Sequence, residues 1–161
     1  MSKAYTGGCT CGAIRYEINA EPIMAGHCQC RDCQRMTGAG HASYIAFPAD
    51  AVRLRGTPSF HAVKADSGNM ASRGFCAKCG CYVIAKTSGM PSMVTITAGS
   101  LDDPRLFTPQ LVVYASRANS WDKVDPALPS FAMMPSPAGM PEGVCAGNPV
   151  AGQKAAFPPA S

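Results

Sequence analysis

At 161 residues the chain holds enough material for one compact domain and a tail, and two full domains would be cramped. Charged residues make up only 15%, Gly and Pro number 16 and 14, and the net charge is +4, a balance that favours turns over long surface helices. The 14 basic residues are scattered from Lys3 to Lys154 without a block, which argues against nucleic-acid binding, and no apolar run reaches the ~18 residues of a membrane helix.

Taken in chain order, the first chemistry is Gly8-Cys9-Thr10-Cys11-Gly12. Two residues apart in extended backbone, both sulfurs project to one face and can share an ion. Ile14-Arg15-Tyr16-Glu17-Ile18 then alternates apolar and polar residues, the pattern of a half-buried strand. Cys28-Gln29-Cys30-Arg31-Asp32-Cys33 follows, three thiols within six residues, with a helical turn expected over 31–36.

Further strands are expected at 41–47, 52–55, 59–63, 82–85, 93–98 and 111–114, rich in β-branched or aromatic residues. Pro48-Ala49-Asp50, Gly56-Thr57-Pro58, Asp66-Ser67-Gly68-Asn69 and Ser88-Gly89-Met90-Pro91 separate them with turn chemistry. Spacing near ten residues favours an antiparallel, mainly β fold of short strands, with a second short helix expected at 101–106. Between the strands lies Phe75-Cys76-Ala77-Lys78-Cys79-Gly80, a knuckle in which Gly80 is expected to take a positive φ. The domain is expected over 5–131. Beyond it, 132–161 is a Pro-, Gly- and Ala-rich tail containing Cys145, too poor in apolar surface to offset its ordering entropy.

Nine cysteines in a chain whose residues 1–16 lack an apolar signal core point to a reducing, cytoplasmic setting, where clustered thiols are metal ligands more often than disulfides. Cys9, Cys11, Cys76 and Cys79 supply four thiolates, which close a tetrahedral structural zinc site. Cys28, Cys30 and Cys33 supply three and leave one coordination position open, the pattern of a catalytic zinc. Two zinc ions per chain are therefore expected. Spacing leaves other partitions of the seven sulfurs open, along with a ligand role for His27 or for Cys81. Arg31 and Arg35 either face solvent or attract an anionic substrate.

These motifs, with Gly38, Gly99-Ser100-Leu101-Asp102 and Trp121, resemble the glutathione-dependent formaldehyde-activating enzyme family, which shares its domain with centromere protein V. The resemblance runs from about Tyr5 to Phe131. It implies an Mss4-like fold, the same partition into structural and catalytic zinc, and a carbon-sulfur lyase that condenses formaldehyde with glutathione to S-hydroxymethylglutathione. Many members place His between the first two cysteines of the claw, where this chain has Gln29. The alternatives are a zinc enzyme acting on another small thiol or electrophile, and a non-catalytic zinc module that binds a protein or chromatin.

Overall fold

The computed structural model describes residues 4–136. Ten strands and one α-helix follow one another: β1 (Tyr5–Gly8), β2 (Arg15–Ile18), β3 (Met24–Cys28), α1 (Arg31–Thr37), β4 (Ala42–Pro48), β5 (Val52–Arg55), β6 (Ser59–Lys64), β7 (Met70–Phe75), β8 (Tyr82–Thr87), β9 (Met93–Thr97) and β10 (Leu111–Val113). The molecule is mainly β, as the alternation predicts. The segment expected as a second helix is instead a single 3₁₀ turn, Pro104–Leu106, started by Pro104 and by the Asp103 side chain, which accepts from the Arg105 N–H.

A three-stranded sheet has the order β1-β2-β5, and a seven-stranded sheet the order β10-β3-β4-β9-β8-β7-β6. Neighbours run antiparallel except β10, which lies parallel to β3 with Val113 opposite Cys28. Strand alternation splits the core in two. Ala25, Ile45 and Phe47 point from one face of the large sheet towards Ile14, Tyr16 and Ile18 of the small one. Met24, Cys28 and Ala46 point from the other face, where Leu111, Val113 and Tyr114 cover them.

Strands β1, β3 and β7 escape the sequence criteria because Gly, Ala and Ser fill them. Gly26 in the middle of β3 shows why: a Cβ there would lie 2.6 Å from the Leu111 carbonyl oxygen. Low strand propensity at this position is what lets β10 approach as the parallel edge.

Val112 of β10 and Ala115 just beyond it donate to the carbonyls of Pro129 and Phe131. Residues 129–132 thus remain hydrogen-bonded to the domain across its expected 131/132 boundary. Most of the expected tail, with Cys145, lies outside the described residues.

Candidate metal centres

The two cysteine pairs meet as their spacing predicts. The sulfurs of Cys9, Cys11, Cys76 and Cys79 all lie within 4.8 Å of one another, and the Sγ atoms of Cys9 and Cys11, and of Cys11 and Cys76, are 3.6 Å apart. A tetrahedron of sulfurs about 2.3 Å from a central zinc has edges of about 3.8 Å, whereas a disulfide needs ~2.05 Å. The set therefore fits a metal ion, and its cysteines are free thiols. Cys9 and Cys76 are buried in the core half shared by the two sheets, while Cys11 and Cys79 are exposed.

Local backbone aims these sulfurs. Gly80 has φ 73°, and its N–H donates to the Cys76 carbonyl at 2.7 Å, closing the knuckle. The Cys9 sulfur accepts the Ile14 N–H at 3.2 Å. Backbone N–H groups of Cys81 and Cys11 lower the Cys79 pKa to about 6. Those donors favour a thiolate, the form a cation binds. Cys81 itself stands outside the set and contacts the Thr10 hydroxyl at 2.9 Å.

The sulfurs of Cys28, Cys30 and Cys33 form the second group, again within 4.8 Å of one another. Cys28 ends β3, Cys30 caps α1 with its sulfur accepting the Cys33 N–H at 3.4 Å, and Cys33 sits in the first turn. Thiol contacts from Cys28 and then Cys33 lower the Cys30 pKa to about 2, while contact with Cys30 pushes Cys28 up to about 12. Cys33 is also raised, first by Cys28 and then by Cys30. Three thiols this close oppose one another's ionisation, a penalty that a divalent ion would offset, so the set suits a cation.

His27 is not a fourth ligand. Strand alternation turns it to the opposite face from Cys28, where its Nδ1 meets the Ser43 hydroxyl at 2.9 Å and its ring packs on His41 and Phe107. Gln29, 2% exposed, reaches Asp122 at 3.4 Å, and Asp122 in turn pairs with His41 Nδ1 at 2.9 Å. Gln34, the other buried polar side chain among the described residues, donates to the carbonyls of Gln29 at 2.7 Å and Arg117 at 2.9 Å.

Tyrosines surround the claw, and composition gave no sign of them. The Tyr44 hydroxyl is buried with no hydrogen-bond partner among the described residues, and burial, then the nearby Cys28 and Cys33 sulfurs, raises its pKa. Its register explains the placement: Tyr44 pairs with Gly26 and Ala42 with Cys28, so ring and sulfur share one face of the sheet. Tyr114, the one non-glycine with positive φ (58°) among the described residues, turns the chain after β10 and sends Arg117 back over α1. A strained residue of this kind commonly marks a functional neighbourhood.

No curated protein matches the chain. Among solved structures it is similar to a Rhodobacter sphaeroides protein, 24% identical, covering 62% of this chain and 92% of that one with a TM-score of 0.49. A family model described as glutathione-dependent formaldehyde-activating enzyme matches residues 4–117. That span takes in both cysteine sets and the helix between them, though not Trp121. The chain belongs to the glutathione-dependent formaldehyde-activating enzyme family.

Proposed function

We propose that this protein is a zinc-dependent carbon-sulfur lyase that condenses formaldehyde with glutathione to S-hydroxymethylglutathione in a reducing, cytoplasmic setting. The observation that carries this reading is the contrast between two sulfur sets in a chain of this family, one of four and one of three, since four thiolates would complete a tetrahedral ion and three would leave it one free position. We assign the four, Cys9, Cys11, Cys76 and Cys79, to a structural ion and the three, Cys28, Cys30 and Cys33, to a catalytic one.

A zinc ion bound by the three-sulfur set would act as a Lewis acid and lower the pKa of a thiol entering its open position. The chain's own residues set the surroundings. Tyr44 and Tyr114 pack beside the claw and limit water around it. In the reaction a carbon-sulfur bond forms as the carbonyl π bond breaks, and the proton lost by the thiol ends on the former carbonyl oxygen. The Tyr44 hydroxyl, which no described group uses, is a donor for that oxygen as its negative charge develops.

The test compares adduct formation from formaldehyde and glutathione with and without protein, followed by NMR of the hydroxymethyl carbon. Acceleration over the spontaneous reaction in the wild type, lost in Cys30→Ser, is expected. A wild-type rate equal to the spontaneous one removes this function.

A further inference from the structure

Helix α1 carries a second chemical face beside its cysteines. Arg31, Gln34, Arg35 and Gly38 recur at helical spacing and line a cleft of about 210 Å³ whose far wall is Trp121. Sites that enclose a drug-sized ligand have ~300–1,000 Å³, so this cleft suits one end of a ligand.

Two guanidinium groups four residues apart on one helix face repel each other. Among the described residues neither has a carboxylate within ion-pair distance, although Asp32 stands beside Arg31 in the chain. Asp32 is turned to Arg73 at 3.5 Å, and Asp66 holds Arg117 at 2.6 Å. Arg31 is steadied by a neutral partner, the Gln34 side-chain oxygen. Both positive charges remain available to an external anion, and the planar fork of arginine matches a carboxylate.

The cleft is also built in advance. Gln34 ties Arg117 to the helix, and Gln29 reaches Asp122, so the two buried glutamines hold the loop that carries Trp121 from both sides. A Cβ on Gly40 would fall 2.1 Å from Asp122 Cγ, so that close approach requires glycine. Trp121 itself stays 68% exposed, its indole presented to solvent. Ordering completed before binding is not charged against affinity.

We propose that this cleft binds a terminal carboxylate of the thiol substrate, with Arg31 and Arg35 holding the anion and Trp121 flanking the residue that carries it. The identity of that substrate as a carboxylate-bearing peptide thiol rests on the function proposed above. A shared residue supports the link: Gln34, which lines the cleft, donates its backbone N–H to the Cys30 carbonyl at 3.0 Å and its side-chain amide to the Gln29 carbonyl at 2.7 Å, within the claw's own loop.

Trp121 is the single tryptophan of the chain, so its fluorescence reports the cleft directly. The zinc-loaded full chain is titrated with S-methylglutathione, whose sulfur is blocked, and with its diethyl ester, whose carboxylates are capped. A saturable change is expected with the diacid, and binding about tenfold weaker with the ester or in Arg35→Ala, one charge-assisted contact being lost. Arg35→Lys should recover part of the loss, with zinc content and melting temperature unchanged in both variants. No saturable wild-type change, equal binding of diacid and ester, or an Arg35→Ala titration like the wild type overturns the assignment. Arginine-dependent binding without catalysed adduct formation leaves this site standing and removes the reaction. Catalysis with an unchanged glutathione KM in Arg35→Ala does the opposite.

Discussion

The sulfur of Cys11 lies 3.6 Å from that of Cys76, across 65 residues of sequence. The contact joins the turn after β1 to the knuckle after β7, with a buried cysteine on each side. It lies at the rim of the core half where the two sheets meet, Cys9 and Cys76 being buried there and Cys11 exposed, whereas the claw lies with the other half.

Removing metal should therefore affect the two sets differently. The wild type is expected to bind two zinc ions, measured by elemental analysis, and Cys30→Ser one while remaining folded. Cys76→Ser should fail to fold, because an ion that closes a site contributes folding free energy directly. Equal metal loss and equal unfolding in the two variants would sink the division into structural and catalytic sites.

Tyr44→Phe separates stability from activity. The buried hydroxyl has no partner among the described residues, and such a group costs about 1–3 kcal/mol, so its removal should raise the denaturation midpoint. Adduct formation should slow by roughly 10- to 100-fold if the hydroxyl serves the reacting oxygen. A less stable variant with full activity would contradict both parts.

Gly26→Ala tests the parallel edge. The added methyl meets the Leu111 carbonyl oxygen, so β10 must move away from β3 at a cost of about 1–3 kcal/mol. Urea denaturation should show that loss, and a change below about 0.5 kcal/mol would mean the edge yields without strain.

Asp102 accepts from Arg15 Nη1 at 2.9 Å and from the Thr6 hydroxyl at 2.8 Å, and Arg15, then Thr6, holds its carboxyl below its ordinary value of 3.8. A carboxyl pKa lowered on folding stabilises above the unfolded value, and that contribution is lost as pH falls through the folded one. Asp102→Asn should therefore reduce stability at neutral pH and flatten its decline below about pH 4. The pair is solvent-exposed, so the loss should stay within about 1 kcal/mol in thermal melts. An acid limb as steep as that of the wild type would remove the carboxylate from this role.

Both sulfur sets were legible because their chemistry is local: two pairs and a triplet of cysteines, each aimed by a short turn. The strands with β-branched alternation, such as β4 and β9, were legible for the same reason. β1, β3 and β7 were not, because their small residues answer to neighbours distant in sequence, as Gly26 answers to Leu111. Periodicity records a residue's own preference and carries no trace of such an approach.

By itself, then, the sequence determined a mainly β domain and favoured the seven sulfurs as four and three while leaving other partitions open, since turn chemistry is written in adjacent residues. Only the tertiary structure decided what stands around them. Pairing register turned His27 away from the claw and brought Tyr44 to it, and the reversal at Tyr114 carried the Trp121 loop back to Arg31 and Arg35. A shift of one residue in strand register reverses every side chain. Those contacts were therefore fixed when the sheet closed, not when the chain was composed.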